Sequence, residues 1–429
     1  MAGALMLIKS FSAESGKKQR PCNYREFLTV IFGHDLLCIQ VIHIAYIVFW
    51  MVARMLIFFF IMSAVLSLAC AYIARRIVTV SGWTAGHKGF VYSLAAAFVV
   101  FELAVFFAQR RWNLPGPLLD GMQWSSYFLL GLMATVFLYL VVGDLLLVLF
   151  RLFAGKHAIM PFFARFLPRA AVLLALVSCL IGFFQALQAP RVRTETVVIK
   201  GLPHDFAGFK ISHLSDLHIG APNGAGLVES AVNISNGLDP DIVVITGDLV
   251  DGTVGRILPK LAGLKNLESK YGVYFCPGNH EYYWNYEAWM PAIEGLGIKV
   301  LANTHHVISA PGGTRIILGG VTDHDPDAAK AFAGAPTGAP RVLLSHHPAL
   351  LDVAAAQNTA LLLSGHTHGG QFFPWWIFLA ATHKHYRGLG GHAGMHINIS
   401  SGTGFWGPPN RFMIPAEVVL VTLKAPIAS

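Results

Sequence analysis

IVVITGDLVDG, residues 242–252, decides how the chain is read. Five apolar or β-branched residues run without a charge. The run then stops at Gly247 and turns polar at once, with Asp248 and Asp251 close behind. A short unbroken apolar run bounded by a turn signal fits a strand buried on both faces. A carboxylate at its end lies where open α/β sheets place their sites. The pattern recurs on either side. FKISHL (209–214) leads into Asp216-Leu217-His218, and VYFC (273–276) into Gly278-Asn279-His280-Glu281. RVLLS (341–345) leads into His346-His347-Pro348, and ALLLS (360–364) into Gly365-His366-Thr367-His368-Gly369-Gly370. Further runs at 196–200, 315–319 and 418–423, with helical stretches at 225–236 and 255–268, complete an α/β pattern over residues 195–429.

In an extended stub, residues i and i+2 point the same way. Asp216 and His218 can then grip one ion, and His366 and His368 share that geometry. A nitrogen and oxygen donor set without sulfur suits Mn, Fe or Zn rather than a structural zinc. The five cysteines (Cys22, Cys38, Cys70, Cys179, Cys276) are scattered, with no CxxC and no disulfide framework. Cys276 reads as a small buried hydrophobe. His213, His324, His383, His385, His392 and His396 read as ordinary core or surface groups, and Asp323-His324-Asp325 as a solvated loop. No GxxxxGK[ST] phosphate loop occurs.

These five clusters, in this order, resemble the calcineurin-like metallophosphoesterase superfamily over roughly residues 205–425. The whole chain is similar to the branch in which that domain follows several membrane spans. The GGQ at 369–371 and the closing run GTGFWGPPNRFMIPAEVVLVTL look like that branch too. The resemblance implies a four-layer α/β/β/α sandwich and two divalent metal ions. Asp216, His218 and His368 would hold one ion, and Asn279, His346 and His366 the other, with Asp248 bridging. His346 is preferred to His347 because it lies nearer the strand end. His280 would be the catalytic histidine near the leaving group, oriented by Asp251. The implied reaction is phosphoester or pyrophosphate hydrolysis by a metal-bridging hydroxide, with His280 donating a proton to the departing oxygen.

The N-terminal half is of another kind. The chain of 429 residues is 55% hydrophobic and 13% charged, so part of it must sit in lipid. Residues 55–74, 89–109, 126–150 and 170–189 are long and apolar enough to span a bilayer at about 20 residues each. They form a membrane domain over 55–190. Residues 1–54 are an N-terminal extension, of which residues 1–35 resemble no signal peptide. Within it, 36–53 is a fifth apolar stretch, interfacial or part of a differently drawn span, and Met51 or Met55 is an alternative start. Glu102 and Asp144 lie inside spans. They are read as helix–helix hydrogen-bonding groups rather than a transport path.

Charge divides the same way. Residues 1–190 carry 15 Lys+Arg against 6 Asp+Glu; residues 191–429 carry 16 against 17. The basic excess flanks apolar segments, which fits membrane topology and disfavours a nucleic-acid surface. Arg75, Arg76, Lys88, Arg151, Lys156, Arg165 and Arg169 flank one side of the spans. Arg110, Arg111, Arg191 and Arg193 flank the other. The richer side is expected in the cytoplasm, which puts the catalytic domain outside it. The basic tail (Lys9, Lys17, Lys18, Arg20, Arg25) argues the other way if there are four spans.

The stretch Phe372-Phe373-Pro374-Trp375-Trp376-Ile377-Phe378-Leu379 reads as an interfacial element. Phe372, Phe373, Trp375 and Trp376 are candidates for substrate or membrane contact. Gly252 and Thr253 stand after Asp251, where Ser/Thr phosphatases of the superfamily carry arginine. The expected partners are therefore the lipid bilayer and a lipid-linked phosphoester, with no nucleic acid. Alternatives are a UDP-2,3-diacylglucosamine pyrophosphatase-like enzyme of lipid A synthesis, which needs a cytoplasmic site, and a non-catalytic metal-binding membrane sensor.

Overall fold

The computed structural model describes residues 36–81, 84–111, 114–154 and 160–426. The basic tail, the absence of a signal peptide and Lys156 fall outside the described residues. Two compact units divide the chain, Met1–Leu68 and Ala69–Ser429. The packing below lies within the second.

Four long helices come first: α1 (Leu36–Ser81), α2 (Ala85–Arg111), α3 (Gly116–Ala154) and α4 (Met160–Ala186). Residues 36–53 and 55–74 share α1, with no turn between them. Segments Phe59–Thr79, Ala85–Gln109, Gly116–Phe153 and Pro161–Ala186 are long and apolar enough to cross a bilayer. The protein is a multi-pass membrane protein. The acids inside these helices are partnered. Asp144 forms an ion pair with Arg76 and accepts from Tyr72 Oη at 2.7 Å, and Glu102 accepts from Ser126 Oγ at 2.5 Å. Ala171 and Ala175 of α4 are buried with Val136 and Leu140 of α3, small residues letting the two helices approach.

At 1.5 Å per residue, the 39 residues of α3 reach about 58 Å, nearly twice the ~30 Å hydrocarbon core. Its first turns meet the catalytic half. Asp120 pairs with Arg256, and with Lys260 Nζ at 3.4 Å.

The catalytic half is built on two six-stranded mixed sheets. The first has strands β1 (Arg191–Val198), β2 (Lys210–Leu214), β3 (Ile242–Thr246), β4 (Val273–Cys276), β5 (Lys299–Val300) and β12 (Glu417–Lys424), in the order β1-β12-β2-β3-β4-β5. The second has β6 (Thr304–Ser309), β7 (Arg315–Gly320), β8 (Arg341–Leu344), β9 (Thr359–Ser364), β10 (Gly388–His392) and β11 (Met395–Ile399), in the order β10-β11-β9-β8-β7-β6. Inward residues such as Ile211, Val244, Leu318, Val342, Leu361 and Val421 form one core between the sheets. The opposite face of the first sheet (Val243, Ile245, Phe275) is covered by α5 (Ala225–Gly237), α6 (Val254–Leu261) and α8 (Tyr286–Glu294). That of the second (Ile317, Leu343, Leu362, Ile397) is covered by α9 (Ala328–Ala331) and α10 (Leu351–Ala356). The layering is α/β/β/α. Strands covered on both faces explain the runs without alternation.

Candidate metal centre

Every expected donor lies just past the carboxyl end of a strand. Asp216 and His218 follow β2, Asp248 follows β3, and Asn279 follows β4 and opens the short helix α7 (Asn279–Tyr283). His346 follows β8; His366 and His368 follow β9. The local geometry differs from an extended stub. Asp216, His218, Asp248, His366 and His368 have φ of 54°, 45°, 51°, 68° and 50°, all left-handed. Convergence therefore comes from sharp kinks rather than strand alternation. Such φ values are uncommon for residues with side chains and cluster at functional sites. The glycine before Asp248 is required on two counts. Gly247 has φ 76°, and a Cβ there would stand 2.6 Å from Gly278 N and 2.8 Å from His346 Nδ1.

The donors converge as two adjoining sets. In the first, His218 Nε2 and His368 Nε2 are 3.1 Å apart, and His368 Nε2 is 3.4 Å from Asp216 Oδ1. In the second, His346 Nε2 is 3.1 Å from Asn279 Oδ1 and 3.2 Å from His366 Nδ1, which is itself 3.2 Å from Asn279 Oδ1. Asp248 Oδ2 faces both, 3.6 Å from His218 Nε2 and 3.2 Å from His346 Nε2. Asp216, His218 and His368 form one group whose spacing could hold an ion; Asp248, His346 and His366 form another.

The tautomers show that this set fits a cation. His346 Nδ1 lies 2.8 Å from the Thr246 carbonyl, so it must carry a proton. In the neutral ring its Nε2 would then be a lone pair facing a carboxylate oxygen and an amide oxygen. Three acceptors meeting in a buried space call for a metal ion or a proton. Burial alone would lower the His346 pKa, but Asp248 beside it pushes it up to about 10. A proton thus occupies Nε2 when no metal does. His366 is held down to about 3 by burial and by neighbouring His346, and His368 well below its ordinary range by burial, His218 and Arg411. Both offer free lone pairs.

His280 stands at the edge of these sets. Its Nδ1 is bound to Asp251 Oδ1, and its Nε2 lies 3.8 Å from Asp248 Oδ2. Burial lowers its pKa, but the Asp251 contact and Asp248 outweigh that and raise it to about 9. Asp251 Oδ2 also lies 3.2 Å from His218 Nδ1, so one carboxylate orients two imidazoles. His347 is half-buried, its ring 4.3 Å from that of His366 rather than among the donors.

Comparison with known proteins agrees with this geometry. The calcineurin-like phosphoesterase family profile matches residues 209–370. An uncharacterized metallophosphoesterase of Aquifex aeolicus is 31% identical over 261 residues, which are 58% of this chain and 98% of that protein. The chain belongs to the calcineurin-like metallophosphoesterase family. Proteins named transmembrane protein with metallophosphoesterase domain are also similar. That of Danio rerio is 33% identical over 271 residues, 59% of this chain, and that of Bos taurus 34% over 277 residues, 60% of this chain. The matched region spans 62% of the length of each of these two relatives.

The metallophosphoesterase site also depends on residues that the sequence reading passed over. Glu281, fully buried, accepts from the backbone N–H groups of Gly278 (2.7 Å), Leu249 (2.8 Å) and Asp248 (3.0 Å), tying two donor loops together. Burial and the Asp248 charge push its carboxyl up to about 7. Arg411, also fully buried, places Nη2 3.3 Å from His368 Nδ1 and donates from Nη1 to the Ser401 carbonyl at 2.6 Å. Glu281 sits beside two singled-out residues and could have been noticed as a capping-box acid. Arg411 carries no local signal.

The aromatic stretch divides. Phe372 is buried, and Phe373 packs edge-on against Tyr139 of α3, ring centroids 5.8 Å apart. Trp375 opens a short helix, α11 (Trp375–Thr382), in which no residue is buried; the backbone of Trp376 lies against Gly370.

Proposed function

We propose that the protein is a membrane-anchored dimetal phosphoesterase acting on a lipid-linked phosphoester or pyrophosphate. The observation that carries this reading is Asp248 Oδ2 lying between two histidine-rich donor sets, 3.6 Å from His218 Nε2 and 3.2 Å from His346 Nε2. In it, Asp216, His218 and His368 would hold one divalent ion and Asn279, His346 and His366 the second, with Asp248 available to both. Ions held there supply Lewis-acid polarisation of the phosphoryl group and a water acidified toward neutral pH.

The chain's own residues supply the rest. His280 is the proton donor. In the metal-free chain Asp251 and Asp248 raise it to about 9; Asp251 accepts Nδ1–H, which leaves Nε2 free to carry the proton that is donated. As the oxygen of water adds to phosphorus and the bond to the leaving oxygen breaks, the Nε2 proton passes to that oxygen. The proton shed by the attacking water goes to solvent, and solvent returns one to His280.

Residues 55–190 are the membrane module and 195–429 the catalytic module in this reading. Placement of the catalytic module outside the cytoplasm is supported by the flanking charges. Arg75, Arg76, Lys88, Arg151, Arg165 and Arg169 lie toward the ends of the helices away from β1. A lipid-linked substrate is supported by Phe373 resting on Tyr139 of α3. The test is hydrolysis of bis-p-nitrophenyl and p-nitrophenyl phosphate by full-length protein in detergent with Mn²⁺, beside Asp248→Asn. Turnover lost in the variant supports the reading; turnover equal in both rejects it.

A further inference from the structure

His280 has aromatic neighbours that the mechanism does not use. The Trp406 ring stands edge-to-face 5.8 Å from the His280 ring, and the Tyr283 ring lies 5.1 Å from it. Both side chains are exposed, 52% and 68%. Trp406 is held from behind. Gln371, buried and left-handed at φ 56°, accepts from Trp406 N at 2.9 Å and donates from Nε2 to the carbonyls of Trp406 (2.9 Å) and Pro408 (3.0 Å). An uncommon backbone conformation and a buried amide are thus committed to fixing the main chain from which an exposed indole projects beside the proton donor.

The same loop leads to the membrane. Residues 404–409, GFWGPP, contain no polar side chain apart from the indole N–H. Pro408 lies so close to Gly131 of α3 that a Cβ on that glycine would stand 2.6 Å from it. Phe412 lies against Gly182 of α4, and Met413 is 57% exposed. GFWGPP thus joins Trp406, the neighbour of His280, to a proline seated on α3.

We propose that Trp406 and Tyr283 form an apolar subsite for the leaving group, and that this group is the hydrocarbon-bearing alcohol of a lipid phosphoester. The inference rests on the phosphoesterase reading above and specifies which side of phosphorus the lipid occupies. Rigid aromatic faces take up a methylene chain at low entropic cost. A nucleobase would also stack on them, but GFWGPP offers only the indole N–H to read its polar edge.

The experiment measures inhibition of bis-p-nitrophenyl phosphate hydrolysis by butyl-, octyl- and dodecylphosphonate. It uses full-length protein in one detergent with Mn²⁺, wild type beside Trp406→Ala, Tyr283→Ala and the double variant. Each methylene that reaches the rings should lower Ki by roughly fourfold. Wild-type Ki should thus fall at least tenfold from butyl to octyl, and less than threefold in the double variant. Equal falls in all four proteins overturn the subsite. So does selective loss of adenosine monophosphate inhibition in Trp406→Ala, which marks a nucleobase platform. A shifted pH profile with an unchanged chain-length dependence also overturns it, making Trp406 a positioning residue for His280. Turnover that Asp248→Asn does not abolish, or no turnover at all, fails the phosphoesterase reading instead.

Discussion

The backbone amide of Arg411 donates to the carbonyl of Gly182, 2.9 Å away inside α4, while the guanidinium of the same residue lies beside His368. One residue thus links a membrane helix to a metal-site imidazole. Gly182 is what permits it, because a Cβ there would collide with Asn410 Oδ1 and stand 2.9 Å from Phe412 Cβ. Gly182→Leu should push the 404–412 loop off α4 and lower kcat/KM at least tenfold. Ala171 and Ala175 still pack α4 on α3, so monodispersity in detergent should be kept. Wild-type turnover in that variant would show the contact to be dispensable.

Metal content tests the bridging position. Full-length protein should bind two Mn²⁺ per chain by elemental analysis, and chelation should abolish turnover. Asp248→Asn should retain one or none. Because His346 is raised to about 10, it carries a proton at pH 8 that metal must displace. Calorimetry in buffers of different ionisation enthalpy should detect proton release, reduced in His346→Ala.

His280 should matter most for poor leaving groups. His280→Ala is expected to lower kcat for alkyl esters by about 10²–10⁴ and for p-nitrophenyl esters far less, since nitrophenolate leaves without a proton. A uniform loss across leaving groups would place the histidine in binding rather than proton transfer.

Asp251 sets the His280 titration. In the metal-free protein the imidazole is raised to about 9, so the folded state holds its proton more tightly than the unfolded chain. The stabilisation is complete below about 6.5 and is lost as pH rises toward 9. Asp251→Asn should bring the NMR titration of His280 down toward the ordinary histidine range and shrink that loss.

Glu281 is a structural acid. Glu281→Ala strands three buried N–H donors and should cost about 3 kcal/mol or more, read as a fall in thermal midpoint. Glu281→Gln, which keeps an acceptor, should cost less.

Much of the catalytic fold is legible because its central strands are covered on both faces. β3 reads as IVVIT with all five residues buried. Strands at or near the sheet edges are not. β10 is GLGGH, β5 has two residues, and β6 begins with Thr-His-His, so none presents a buried apolar run. The stretch 255–268 reads as one helix but divides at Leu261 and Ala262 into α6 and a 3₁₀ turn, with Gly263 just beyond the break. Arg75 and Arg76 read as a loop yet lie in α1, since Arg76 finds Asp144 and its charge is compensated inside the bundle. Donor positions were visible because each follows a strand. Arg411 was not, because its partner His368 is 43 residues away and only the folded loop brings them together.

The join between α4, ending at Ala186, and β1, beginning at Arg191, is four residues long, and the strand at once pairs with β12. With Asp120 on Arg256 as a second strut, the catalytic domain is fastened to the apolar helices at two points. A centre so tethered searches in two dimensions. Its rate on an ester dissolved in the same leaflet should follow the surface mole fraction of that ester, and dilution with inert lipid should slow it at constant bulk concentration.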